Sequence, residues 1–374
     1  MRSAVREEID RCERASLVFD GAKIASNMRA VADAARAARI TPLFAMKSFP
    51  HARVVELARE HRAGFDAASV DELRVAIEAG LDRLISIVDP SGAAIPHAPK
   101  SWRVIVGCET VEQVRAAPPH ADIAIRVSAS ITGRDPAVGA VLDGTGHRRS
   151  RFGLERVDEL RALRDAAATS APARRIGLHV HHGPVTATSA ERFIASARAA
   201  IGLVREAGIE PAFIDLGGAW HGIGIANIAD AFARIRSEID DAILSKNADS
   251  TSTQRFEILV EPGRLFVEDA GFAVGPTTSV RDLGDRLLVT TALSRICHLR
   301  WSQVELVAKA PHPGAGVKAV VVGPTCYEED LIGEWVVEPS EIAKRVVVRN
   351  VSGYAAAWNK SFGGVPEADV VFVD

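Results

Sequence analysis

The sequence predicts an α/β protein, a (β/α)8 barrel of the TIM type followed by a separate β-domain. Three observations carry this. Eight short apolar runs, often β-branched, alternate with amphipathic helical stretches over residues 21–275. That span matches the roughly 250 residues typical of such a barrel. After Gly275 the chain turns rich in Val, Thr and Gly, with runs such as LLVTT, KAVVVG and RVVVRN. A length of 374 residues also exceeds what one compact core usually serves. The expected domains are therefore residues 21–275, the barrel, and residues 1–20 with 276–374, the β-domain.

In order, the expected barrel strands are Leu43–Lys47, Gly64–Ala68, Leu84–Val88, Val104–Gly107, Asp122–Val127, Gly177–His181, Ala212–Leu216 and Phe256–Val260. Most read as continuously apolar, as strands covered on both faces do. Between them, Ser69–Ala79, Arg156–Ala168, Ala190–Glu206 and Ile228–Leu244 show helical periodicity. Two polar segments break the rhythm. Ser128–Arg151 is Gly-rich and basic and falls on the strand-end side after the fifth strand; Lys246–Arg255 reads as a solvated loop on the opposite side. Ala15–Asp20 (ASLVFD) is expected to add a strand to the β-domain.

Composition excludes several classes. Hydrophobic residues make up 47% and charged residues 25%, ordinary for a globular protein. A net charge of −3 without a basic stripe argues against a nucleic-acid partner. No apolar run approaches the ~18 residues of a membrane span, and the charged start MRSAVREEIDRCER does not read as a secretory signal. The cysteines Cys12, Cys108, Cys297 and Cys326 are scattered, so neither a disulfide framework nor a cysteine zinc site is expected. A cytoplasmic location fits these features.

Barrel chemistry sits at the C-terminal strand ends. The first strand ends in FAMKS, which places Lys47 in the mouth. A lysine after four apolar residues can also simply snorkel outward. The sixth, seventh and eighth strands end in HVHHG, DLGG and EPGR. Glycines after strands seven and eight, Gly217, Gly218 and Gly263, are where barrels often cradle a phosphate with backbone N–H groups, and Arg264 adds a cationic fork. With Glu261 at a strand end, this set points to pyridoxal 5′-phosphate, in which a lysine holds the cofactor and a carboxylate keeps its pyridine nitrogen protonated. His179, His181 and His182 invite a metal reading. Strand alternation, however, puts only His179 and His181 on one face, and no carboxylate set matches them, so no metal is expected. Stacking of His181 on a ring and ordinary polar packing both remain open.

The motifs FAMKS, GFDAASVDEL, SRFGL, GLHVHHG, DLGG, EPGR, GPTCYEED and NVSGYAAAWNKSFGG, in this order, resemble the fold-type III (alanine-racemase-like) pyridoxal-phosphate-dependent decarboxylases. That family includes ornithine, diaminopimelate and arginine decarboxylases. Each motif alone is weak; eight in sequence at suitable spacing are specific. The resemblance implies a carboxy-lyase acting on an amino acid and a homodimer with shared active sites. It matches Lys47 to the Schiff-base lysine, His181 to the ring-stacking histidine and Glu261 to the carboxylate at the pyridine nitrogen. Gly217, Gly218, Gly263, Arg264 and Tyr354 match phosphate-binding positions, and Cys326 matches the cysteine that the partner subunit contributes to protonate the α-carbon.

Three positions depart from the family pattern: Pro184 after HxHxG, Ala219 for a third glycine, and Tyr327 after the cysteine where diamine-specific members carry an acid. The corresponding β-domain stretch, ALSRICHLRWSQ, carries Arg295, His298 and Arg300 rather than acids. Tyr327, Arg295 and Arg300 are therefore the candidate substrate contacts, and the expected substrate has a neutral or anionic distal group, as in specialised metabolism. Pairing of these cations with Glu328 and Glu329, or with solvent, is the competing reading, and free ornithine, lysine or diaminopimelate the competing substrates. A racemase is disfavoured by Glu261, and a non-catalytic regulatory homologue by the presence of both Lys47 and Cys326.

Overall fold

The computed structural model describes residues 1–61, 63–80, 84–132, 141–142, 148–171, 173–181, 190–244 and 256–374. These residues fall into two compact units, Met28–Leu265 and Met1–Asn27 with Phe266–Asp374.

After β1 (Ser16–Asp20), the first unit contains β2 (Thr41–Ala45), β3 (Gly64–Ala67), β4 (Leu84–Ile87), β5 (Arg103–Cys108) and β6 (Asp122–Val127). A short hairpin of β7 (Val141–Leu142) and β8 (Arg148–Arg149) follows, then β9 (Ile176–Val180), β10 (Phe213–Asp215) and β11 (Glu257–Val260). The eight strands β2–β6 and β9–β11 pair in parallel and close into a barrel. All eight expected runs are barrel strands. Pro184, His182 and Lys246–Arg255 lie outside the described residues, as does most of Ser128–Arg151.

The barrel closes because its strands are apolar inside as well as out. Leu43, Ile105, Ala124, Phe213 and Leu259 form one buried layer. Gly177 leaves room for the Phe213 ring, which a Cβ there would strike. At the N-terminal ends of the strands, Glu257 accepts from Arg103 at 2.6 and 2.8 Å and from Arg175 at 3.1 Å. Asp122 lies 3.3 Å from Arg175 and 3.4 Å from Arg103. This ionic cluster seals the end away from the chemistry, where charge serves stability rather than catalysis.

Helix starts follow capping chemistry. Ser69 Oγ accepts the Glu72 N–H at 3.2 Å, so the helix Val70–Glu78 begins one residue inside the expected stretch. Thr110 and Gln113 form a capping box at Val111–Ala116.

The second unit holds β12 (Gly271–Asp282), β13 (Leu287–Thr291), β14 (Glu305–Leu306), β15 (Val317–Val322), β16 (Leu331–Val337), β17 (Arg345–Arg349) and β18 (Asp369–Val373). Their order is β14-β17-β12-β13-β15-β16, with β1 between β12 and β18. β1 is buried throughout and pairs antiparallel with β12 and parallel with β18, so the ASLVFD segment does add a strand here.

Candidate active site

The chemistry-bearing residues sit just beyond the strands rather than in them. β2 ends at Ala45, and Met46–Ser48 form a 3-10 turn closed by the Ser48 hydroxyl donating to Ala45 O at 2.7 Å. Lys47 leaves this turn into the mouth rather than snorkelling away. Its Nζ lies 2.5 Å from Asp66 Oδ2 and 3.7 Å from Glu261 Oε2. Asp66, on β3, is fully buried. Its role went unread in the sequence, because within GFDAAS nothing distinguished it from an ordinary strand-end acid.

Glu261 follows β11, and its backbone N–H donates to Gly217 O at 2.9 Å. His179 Nε2 lies 3.3 Å from Glu261 Oε1, close enough for attraction but without hydrogen-bond geometry. The three side chains His179, His181 and Glu261 bring ligand-type atoms within 4.8 Å of one another. The sequence showed no carboxylate matching the histidines; the fold supplies Glu261 from the eighth strand. Lys47 nevertheless places an ammonium beside that carboxylate, where it opposes a divalent cation.

The mouth contains three buried carboxyls and one ammonium. Burial and the charge of Glu261 push Asp66 up to about 7, against the pull of Lys47. Asp215 is raised as well, by burial and again by Glu261. Burial acts to raise Glu261 too, but Lys47 and the two histidines outweigh it and hold the group below the usual range. Glu261 is thus the carboxylate that stays charged. His181 is pushed down to about 3 and His179 is also lowered, both mainly by burial, so both rings are neutral near pH 7.

His181 Nδ1 accepts the Gly218 N–H at 3.1 Å, which leaves its proton on Nε2. The Gly217 N–H goes to Asp215 Oδ1 at 2.9 Å. Both glycine N–H groups expected to cradle a phosphate are therefore bonded within the protein. The glycines are required sterically: a Cβ on Gly217 would meet His181 at 2.6 Å, and one on Gly263 would overlap Ser48. Ala219, at the third glycine position of the pattern, has φ +74° and ψ +17°. An L-residue in this left-handed conformation costs roughly 1–2 kcal/mol. Arg264 opens the short helix Arg264–Val267 directly after Gly263.

The remaining candidates belong to the second unit. Cys326 and Tyr327 are exposed, with the Tyr327 ring 5.5 Å from Phe362. The Tyr354 ring meets Trp301 edge-on at 4.9 Å. The cationic stretch is less open than the sequence implied. Arg295 donates its guanidinium to Ser302 O, and His298 is buried with Nε2 2.9 Å from Pro366 O. Arg300 is exposed and lies 4.7 Å over the Trp358 ring.

A barrel mouth that holds Lys47 beside the Glu261 carboxylate suits pyridoxal phosphate. Residues 21–268 match the family described as pyridoxal-dependent decarboxylase, pyridoxal binding domain, and the chain belongs to that family. Diaminopimelate decarboxylase of Thermoplasma acidophilum is 25% identical over 372 residues, 96% of this chain and 87% of that protein. The diaminopimelate decarboxylase of Pseudomonas aeruginosa is also 25% identical, over 377 residues, 96% of this chain and 87% of that protein. In fold, the chain resembles the Paramecium bursaria Chlorella virus arginine decarboxylase solved with agmatine (TM-score 0.76, 19% identity, all of both chains). It also resembles a lysine/ornithine decarboxylase from Vibrio vulnificus solved with cadaverine (TM-score 0.77, 18% identity, 99% and 97% of the chains).

The site's residues fit the cofactor. Among the described residues, Glu261 Oε1 is a buried acceptor without a hydrogen-bond partner, and of the three carboxyls in the mouth Glu261 is the one held below the usual range. A protonated ring nitrogen is the donor such an atom needs.

The depressed histidines set a pH dependence. The unfolded chain takes up protons near the ordinary 6.5, whereas folded His181 does so only near 3. Between these values the unfolded state binds more protons, so the apoprotein loses stability as pH falls through this window. His181→Gln removes one of the two histidine contributions. Urea unfolding should show the stability lost between pH 6.5 and 5 shrinking by up to about 2 kcal/mol. An unchanged slope would mean that the ring is solvated.

Proposed function

We propose that this chain decarboxylates an amino acid, or an amino-acid conjugate, whose distal group is neutral or anionic, acting as a cytoplasmic homodimer with shared active sites. The observation that carries the chemistry is Lys47, held between Asp66 and Glu261 at the barrel mouth. Pyridoxal phosphate, when bound, supplies the carbonyl that takes up the amino group and a ring that accepts the electron pair left when CO2 departs.

The chain's own residues do the rest. Lys47 anchors the cofactor, and Asp66 receives the Lys47 ammonium whenever that bond is open. Glu261 keeps the ring nitrogen protonated in a low-dielectric site, which favours charge flowing into the ring. His181, neutral and fixed by Gly218, covers the ring face. Arg264 and Tyr354 contribute to phosphate binding, with Gly217, Gly218 and Gly263 giving the backbone room to approach. Cys326 of the partner subunit returns a proton to the α-carbon. The homodimer is what the family resemblance implies. Among the described residues, no helix is long and apolar enough to cross a membrane.

Borohydride reduction should fix the cofactor to the peptide containing Lys47, and Glu261→Gln should lower kcat at least ~10²-fold, the scale of losing one preorganised electrostatic partner. Labelling elsewhere, or an unchanged kcat with cofactor bound, would reject the assignments. For the dimer, mixing inactive Lys47→Ala with inactive Cys326→Ala subunits should restore up to about a quarter of wild-type activity. No recovery despite demonstrated subunit exchange would show that Cys326 does not serve the partner's site.

The substrate follows from charge. The family resemblance implies acids for a distal ammonium at positions where this chain carries Tyr327 and the Arg295–Arg300 stretch. Arg300 remains accessible for a carboxylate or carbonyl group, whereas Arg295 is engaged with Ser302. The second reading, a free diamino acid, is favoured by the relatives, which are named for diaminopimelate, lysine, ornithine and arginine. A panel of amino acids and conjugates, assayed for CO2 release with the amine identified, separates the two. Acidic or conjugated substrates should give the highest kcat/KM; a higher value for free ornithine or lysine would overturn the proposal.

A further inference from the structure

Trp220 is among the largest fully buried side chains of the protein, and no role in the chemistry has been assigned to it. Its indole N–H donates to Gly217 O at 2.7 Å. Its ring stacks on Phe193 at 3.9 Å and 6°, and meets Phe232 edge-on at 5.2 Å and 80°. Phe193 comes from the helix Ala190–Glu206 and Phe232 from the helix Ile228–Leu244, so the indole ties the glycine turn to two long helices.

The turn needs such a tie. Gly217 and Ala219 both have left-handed backbones, with φ of +64° and +74°. Glycine adopts that conformation freely, whereas alanine relaxes out of it unless its neighbours are held. Gly217 O accepts from the Glu261 backbone N–H at 2.9 Å as well as from Trp220, using both carbonyl lone pairs. A phenylalanine at position 220 would keep the stacking but could not make this bond.

We propose that Trp220 is a positioning residue that holds the Gly217–Ala219 turn in the shape that receives the cofactor's phosphate. The indole offsets the strain at Ala219, and the two residues act as a pair. This rests on assigning the turn and Arg264 to the phosphate, with the glycines giving close approach while their N–H groups stay bonded to Asp215 and His181.

The test titrates the apoprotein with pyridoxal phosphate and with pyridoxal, which lacks the phosphate. Trp220→Phe should raise the Kd for pyridoxal phosphate about three- to tenfold, the scale of one neutral hydrogen bond, and leave that for pyridoxal within twofold. Adding Ala219→Gly to this variant should restore most of the affinity, because the turn no longer holds a strained alanine. If Trp220→Phe does not fold, site-specific replacement of Trp220 by benzothienylalanine removes only the N–H and should give the same selective loss. Equal losses for both ligands, or no loss for either, would overturn the proposal, as would failure of Ala219→Gly to rescue. Arg264→Met tests the underlying assignment: if it leaves the preference for pyridoxal phosphate at the wild-type value, the phosphate lies elsewhere and the proposal falls with that reading.

Discussion

The attraction between Lys47 and the buried carboxylates Asp66 and Glu261 organises the mouth of the barrel. Taking these charges out of water is expensive, and their mutual attraction offsets the cost only if the geometry is tight. One ammonium cannot balance three carboxyls. Burial and the charge of Glu261 raise Asp66 and Asp215, while Lys47 holds Glu261 below the usual range. Each carboxyl reaches the site from a different strand, so the arrangement exists only once the barrel has closed. The 3-10 turn at Met46–Ser48, braced by the Ser48 hydroxyl, aims Lys47 into this field.

A second constraint is steric. His181 needs space against the turn that follows β10, and glycines at 217 and 218 provide it, since a Cβ on either would press on the imidazole. The same turn fixes the imidazole tautomer through the Gly218 N–H and anchors the Glu261 backbone through Gly217 O. Two neighbouring glycines thus set the orientation of the ring and the position of the charged carboxylate. That explains why DLGG carries more information than its composition. Both N–H groups are already engaged in this structure, so glycine here serves close approach first.

The fold was legible because its signals are local and redundant: eight apolar runs with helical stretches between them reproduce the barrel strands. That Lys47, His181 and Glu261 meet in the mouth was legible because a barrel places strand-end residues together whatever their sequence separation. Asp66 was not, since its importance lies in a 2.5 Å contact with Lys47 that only strand adjacency creates. Nor was the company of Glu261 with His179 and His181, which joins the sixth and eighth strands. Ala219 was visible as a departure from pattern, but its left-handed backbone was not, because nothing in the residue type calls for it. The stretch Arg295–Arg300 misled in one respect. Three cations within six residues read as a cluster, yet the chain turns Arg295 onto a carbonyl, buries His298 and leaves only Arg300 open.

That last point sharpens the argument about substrate. A distal ammonium at ~4 Å from an arginine costs about 4 kcal/mol at an effective dielectric of 20. Three clustered cations would exclude a diamine outright, whereas one solvent-facing arginine is screened by salt and excludes it less strongly. The proposed specificity against diamines would therefore rest as much on what is missing as on what is present. Without an acid at 327 or along the 295–300 stretch, a diamine's distal ammonium finds no charged partner there to replace its lost hydration. A carboxylate or carbonyl end instead gains a hydrogen-bonding fork from Arg300, which its contact with Trp358 keeps in place. Under the proposed substrate, discrimination would arise from a bond offered to one class and withheld from the other.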